Sequence, residues 1–113
     1  MEIDELVARA SAARRVGDVI AAESLLMEAW RTSGDRADIC NALGMVHIGT
    51  APDKAAAWLE RAAALDPSAT ALWLNLADAR RRNGNMDGAL VAFDRALSTD
   101  RSEERRVGKE CRL

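Results

Sequence analysis

Apolar residues fall at helical spacing along nearly the whole chain, in six blocks separated by short polar breaks. In the first block, Asp4 to Val16, the residues Ile3, Leu6, Val7, Ala10 and Ala13 share one stripe. Gly17-Asp18 predicts a turn with Asp18 as N-cap of a second helix, Val19 to Thr32. That helix turns Ile20, Ala22, Leu25, Leu26, Ala29 and Trp30 inward and ends at Gly34. Asp35 is positioned to cap a third helix from Ala37 to Ile48, which Gly49-Thr50-Ala51-Pro52 interrupts. Pro52 suits the first turn of a fourth helix, running on from Asp53 to Leu65 with Ala55, Trp58, Leu59, Ala62 and Leu65 inward. Asp66-Pro67 stops it, because the residue before a proline disfavours helical geometry. Ser68 then caps a fifth helix from Ala69 to Arg82, and Asn83-Gly84-Asn85 turns the chain into a sixth from Asp87 to Ser98. There Ala89, Leu90, Phe93, Ala96 and Leu97 face inward. Helices of ~12–15 residues joined by loops of ~2–5 predict antiparallel helical pairs.

The pairs repeat. Ala22, Ala55 and Ala89 are spaced 33 and 34 apart, and Ala29, Ala62 and Ala96 follow each by seven. Between them stand Leu26, Leu59 and Phe93. Upstream, Leu6, Cys40 and Trp73 keep the same period, each followed at four residues by Ala10, Gly44 or Ala77. A fixed period of this size is the signature of a stacked helical array, an architecture suited to binding. The small residues set how closely helices approach, and the bulky column fills the gaps. A large side chain at Ala29 or Ala62 would overpack the site.

On these residues the chain resembles the tetratricopeptide repeat family. The third copy is nearest the family pattern: Trp73-Leu74-Asn75-Leu76-Ala77, then Gly84, Ala89, Phe93 and Ala96, counted from Thr70. The second matches at Leu43-Gly44, Ala55, Ala62 and Asp66-Pro67, with a turn one residue short. The first matches at Leu6, Ala10, Gly17-Asp18, Ala22 and Ala29. It departs at Arg9, where the family prefers leucine, and at Gly34, which replaces the helix-ending proline. The resemblance implies an all-α, right-handed superhelical array of three antiparallel helix-turn-helix repeats, spanning residues 3–36, 37–69 and 70–100. It further implies a concave groove lined by the first helix of each repeat. Carried over by register, the groove positions are Asp4, Val7, Ser11 and Arg14; Asp38, Asn41, Met45 and Ile48; and Ala71, Leu74, Asp78 and Arg81. An apolar middle (Met45, Ile48, Leu74) with charged flanks suits an extended or helical peptide. The family's carboxylate clamp needs lysine and asparagine where Val7 and Ser11 stand, so recognition of a peptide C-terminus is not expected.

Composition narrows the reading further. With 16 basic and 18 acidic residues the net charge is −2, which disfavours a general nucleic-acid binder. No apolar run approaches the ~18 residues of a membrane span. The start MEIDELVARA lacks the basic and apolar regions of a secretory signal. Two dissimilar cysteines, Cys40 and Cys111, form no disulfide framework and fit a reducing cytoplasm.

Other chemistry finds little footing. Cys40 and His47 could suggest a nucleophile and its base, but seven residues along one helix separate them by ~10 Å. Both fall in packing columns. No His, Cys or carboxylate cluster has metal-ligand spacing, and neither Gly17-Asp18 nor Gly84-Asn85 is a phosphate loop. No catalytic residue, metal or cofactor is expected. Arg80-Arg81-Arg82 is a solvated helix end near its negative dipole, its side chains ~100° apart. The tryptophans occupy core columns.

The register stops at Arg101. Residues 101–113 show no helical apolar stripe, and RSEERRVGKECR reads like the conceptual translation of a sequencing-library adapter. Without that segment the balance is 11 basic against 15 acidic residues. It is expected to extend the last helix without burying much. The function implied is a non-catalytic scaffold for a protein or peptide. The alternative is the N-terminal recruitment region of a larger bacterial enzyme, of the aspartyl/asparaginyl β-hydroxylase or sulfotransferase kind. Leu90, Phe93 and Leu97 lack a following repeat, so the last helix is also a candidate for self-association.

Overall fold

The computed structural model describes residues 2–111, with side chains from Glu2 to Arg101. The chain folds into six helices, with no strand among the described residues: α1 (Ile3–Arg15), α2 (Val19–Ser33), α3 (Ala37–His47), α4 (Pro52–Leu65), α5 (Thr70–Arg82) and α6 (Met86–Cys111). Each helix packs chiefly on the next in sequence, so three helical pairs stack into an array. The radius of gyration is 15.4 Å, above the ~13 Å of a globular chain of this length. No described helix is long and apolar enough to cross a membrane.

The turns follow local chemistry. Gly17 and Gly84 close α1 and α5 with φ of 82° and 79°, a region where a side chain would be strained. The following amides then reach back, Asp18 to the Ala13 carbonyl at 2.9 Å and Asn85 to the Arg80 carbonyl at 2.8 Å. The Asp18 carboxylate accepts from the Ala21 amide at 3.1 Å, as an N-cap should. Pro52 opens α4, where a missing amide proton is no loss.

Two caps fall elsewhere. Asp35 does not cap α3; its carboxylate accepts from Trp30 Nε1 at 2.8 Å, and Arg36 takes the N-cap position. Ser68 does not cap α5, which begins at Thr70; its hydroxyl donates to Asp66 Oδ1 at 3.0 Å. In both cases a nearer polar partner competes for the side chain.

The repeat columns form the core. Ala22, Ala29, Ala55, Ala62, Ala89 and Ala96 are all buried, as are Ala10, Gly44 and Ala77. One cluster joins Leu6, Ala10, Leu26 and Ala29 to Ile39, Leu43 and Val46. A second joins Cys40, Ala55, Leu59 and Ala62 to Leu72, Leu76, Ala77 and Ala92. Trp58 packs against both. Some expected inward residues are exposed. Ile20 shares the outer face of α2 with Ser24 and Arg31, and Leu65 lies at the very end of α4. Leu90 and Leu97 project from α6 with no further helix packed on them among the described residues. The α6 backbone continues past Ser98 to Cys111, since Glu, Arg and Lys favour helix and no proline intervenes. How much the side chains beyond Arg101 bury lies outside the described residues.

The joint between α3 and α4 is close-packed around a glycine. A Cβ at Gly44 would stand 2.5 Å from Leu59 Cγ and 3.2 Å from the Ala55 carbonyl oxygen. Leu59 is fully buried and cannot yield. Gly44→Ala is therefore expected to destabilise: overpacking costs ~1–3 kcal/mol, against ~1 kcal/mol gained from replacing a helical glycine. Leu59→Ala alone should lose ~2–5 kcal/mol through the cavity it leaves. Urea unfolding followed by circular dichroism should show the double variant losing ~0.5–3 kcal/mol less than the sum. Strict additivity would refute the contact.

Candidate interaction surface

The first helices of the repeats present the residues that register assigned to a groove, and the structure divides them into separate environments. At the N-terminal end, Val7 packs half-buried against the first core cluster. Ser11 and Arg14 are exposed and line an open pocket together with Arg15. Asn41 and Met45 on α3, and Ile48 just past its end, are all half-buried, with Ile48 packed against the second cluster. Asn41 Oδ1 accepts a hydrogen bond from Asn75 Nδ2 at 2.9 Å, tying α3 to α5 across the array. Asn75 was not among the residues singled out by register, although it stands 34 positions after Asn41. The signal was present in the sequence; the 33-residue step between the core columns pointed instead to Leu74.

Leu74 faces the other way. It lines a groove of about 480 Å³ between α5 and α6 with Thr70, Phe93, Ala96, Leu97 and Asp100. The Thr70 and Thr99 hydroxyls share a hydrogen bond at 2.6 Å behind it.

Asp78 and Arg81 are paired with each other. The Asp78 carboxylate accepts from Arg81 Nη2 at 2.6 Å and from Arg82 Nε at 3.1 Å. These bonds, Arg81's foremost, hold the Asp78 carboxyl below its ordinary range. Arg81 and Arg82 thus share one target, although the three arginines together do not, as expected. Arg80 alone turns away, donating to the Gly88 carbonyl at 3.0 Å and to Glu60 at 3.2 Å.

At the joint between the first two repeats, Trp30 and Trp58 meet edge-on at 5.6 Å. The Arg61 guanidinium stands 5.9 Å from one ring centroid and 5.4 Å from the other, and 3.6 Å from Asp35. Trp73 is capped likewise by Arg95 at 5.3 Å, and its indole donates to the Pro67 carbonyl. The tryptophans are therefore half-buried joints with polar partners rather than core.

Cys40 and His47 do not meet. Cys40 is fully buried, its Sγ 4.0 Å from Asp35 Oδ1. Burial first, and then the Asp35 charge, push its thiol pKa up, away from the reactive thiolate. His47 instead lies 3.7 Å from Glu23. Among the described residues, no group of three or more His, Cys, Asp or Glu could hold a metal ion.

Comparison with known proteins agrees with this architecture. The family model described as tetratricopeptide repeat matches residues 49–108, more than half of the chain and beyond the last repeat residue assigned by register. No characterised protein matches by sequence. Among solved structures, a mutant O-GlcNAc transferase from Thermobaculum terrenum is 28% identical with a TM-score of 0.79, over 86% of this chain and 19% of that one. MamA is 22% identical with a TM-score of 0.84, over 92% of this chain and 57% of its own. The second TPR of Spaghetti (RPAP3), bound to the HSP90 peptide SRMEEVD, is 17% identical with a TM-score of 0.81, over 88% and 93%. The chain thus spans about a fifth of the transferase and under two thirds of MamA.

The Asp78 pairing has a titration consequence. A depressed folded-state pKa favours the folded chain above the ordinary carboxylate range, and that contribution fades as pH falls through the folded value. The side chain is about a third exposed, so solvent screens the effect. NMR titration should place the Asp78 carboxyl below the ordinary aspartate value. Arg81→Ala should raise it more than Arg82→Ala does; equal shifts would contradict the assigned order.

Proposed function

Because this chain belongs to the tetratricopeptide repeat family, we propose that it is a non-catalytic interaction scaffold that holds a peptide or helix along the face formed by α1, α3 and α5. The observation that carries this reading is the Asn41–Asn75 pair. It leaves the Asn41 amide nitrogen and the Asn75 carbonyl oxygen without a partner among the described residues, both half-buried and on neighbouring helices. A donor and an acceptor held in this way match what an extended peptide backbone offers. Met45, on the same helix as Asn41, and Ile48, just past its end, supply half-buried apolar surface. The shared fold of the Spaghetti repeat, solved with an HSP90 peptide, supports the class of partner. Val7 and Ser11 carry no positive charge, so the peptide need not end in a carboxylate.

A second reading rests on one comparison. The Thermobaculum terrenum relative is a transferase of which this chain matches 19%, which favours a recruitment segment of a larger enzyme. Sequencing the transcript across and beyond the codon for Asp100 separates the two. A long downstream frame encoding a catalytic domain supports the second reading, and a stop soon after supports the first.

The groove itself is tested with peptides selected by display against the folded chain. Asn75→Ala and Met45→Ala should each weaken the selected peptide by roughly 5- to 30-fold, about 1–2 kcal/mol by calorimetry, with unfolding midpoints little changed. Unaltered affinity in both variants would place binding elsewhere.

A further inference from the structure

α1 and α5 are built on one frame. Each has 13 residues, and Ile3–Arg15 lies as far before Thr70–Arg82 as Ala10 lies before Ala77. Each closes in the same way, Val16 at φ −91° and ψ 5°, Asn83 at φ −85° and ψ 5°. Gly17 and Gly84 follow, both with positive φ. Matching positions therefore send their side chains off in the same direction relative to the helix end.

One matching set differs in a single member. Ser11, Arg14 and Arg15 on α1 correspond to Asp78, Arg81 and Arg82 on α5. On α5 the carboxylate takes both guanidinium groups, at 2.6 Å and 3.1 Å. On α1 the two arginines recur at the same spacing, but a serine stands in place of the aspartate. Among the described residues neither Arg14 nor Arg15 has an ion pair. All three side chains are exposed, and they line an open pocket of about 390 Å³. Ser11 and Arg14 also border a crevice with Ala42 and Val46 of α3. That sets the pocket at the α1–α3 seam of the face proposed above.

α5 shows what such a pair of arginines accepts. A guanidinium presents a planar fork of donors that fits a carboxylate. The two on α5 hold the Asp78 carboxyl below its ordinary range, so they favour its charged form. On α1 an outside carboxylate meets the same donors without having to displace an internal one.

We propose that Ser11, Arg14 and Arg15 form a receptor for the side-chain carboxylate of an aspartate or glutamate within a partner peptide. The guanidinium groups donate to it as Arg81 and Arg82 donate to Asp78, and the Ser11 hydroxyl adds a further donor. The family's clamp for a C-terminal carboxylate relies on lysine and asparagine where Val7 and Ser11 stand. The two arginines lie past those positions, so the acidic residue need not be terminal. The receptor also gives the peptide a direction, with its acidic residue toward α1 and its apolar residues over Met45 and Ile48. The proposal rests on the reading of a peptide along α1, α3 and α5 for the carrier of the carboxylate; the receptor itself does not.

Two measurements test it, and the first needs no ligand. Ser11→Asp copies the α5 arrangement onto α1. By NMR the carboxyl introduced at position 11 should titrate below the ordinary aspartate range, and adding Arg14→Gln and Arg15→Gln should bring it back. A carboxyl that titrates normally in Ser11→Asp would overturn the receptor. The substituted positions are exposed, so circular dichroism should be unchanged in each variant. In the second, peptides are selected by display against the full chain, and each acidic residue of a selected peptide is changed to its amide. One such change should weaken binding by about three- to fivefold, and by less as salt rises. The same change should have no effect against Ser11→Asp, where the receptor is already filled, or against Arg14→Gln with Arg15→Gln, where it is absent. Peptides that lose affinity with Asn75→Ala yet ignore all of these changes would overturn the proposal and leave the groove standing. Peptides that need Arg14 and Arg15 but neither Asn75 nor Met45 would support the receptor and remove the groove.

Discussion

The structure depends on how closely two helices of a pair approach. That distance is set where Gly44 meets Leu59, with the Ala55 carbonyl just beyond. A leucine can fill the space between α3 and α4 only because the facing residue has no side chain. The buried alanines keep the other helices close with a single methyl group each. Close approach in turn fixes the angle at which each pair presents its first helix to the next. It is what allows Asn41 and Asn75, a full repeat apart, to meet at 2.9 Å. Packing density between α3 and α4 thus governs the polar geometry between α3 and α5.

Much of this architecture could be read from the sequence, because the determinants are short-range and periodic. Six helices, the Asp18 cap, Pro52 at a helix start and the alanine columns all follow from spacing and backbone preference. What escaped the sequence was competition between partners. Asp35 and Ser68 are good caps by type, yet an indole and a neighbouring carboxylate claim them. The tryptophans fill repeat columns, but their size and their N–H groups keep them at the margins, under arginine. The candidate face was only partly legible for a related reason. A one-residue choice of register decides whether α5 offers Leu74 or Asn75, and only the folded pair shows that Leu74 turns toward α6.

Charge is used differently along the array. At the first joint the exposed Arg61 cation stands over two indoles and pairs with Asp35. At the second, Arg80 bridges Glu60 and a backbone carbonyl. At the end of α5, Asp78 pairs with two arginines and offsets half of their charge.

The packing of each helix mainly on its successor also governs how the chain reaches this structure. Contacts made between neighbours along the chain require only short loops to close. Folding of this kind is fast, in the microsecond to millisecond range typical of helical domains. It can begin at any pair and spread outward, as in other arrays whose units touch only their neighbours. The Asn41–Asn75 hydrogen bond, spanning 34 residues, requires that the second and third pairs be docked. This bond therefore reports on the joint between those two pairs and is silent about the first.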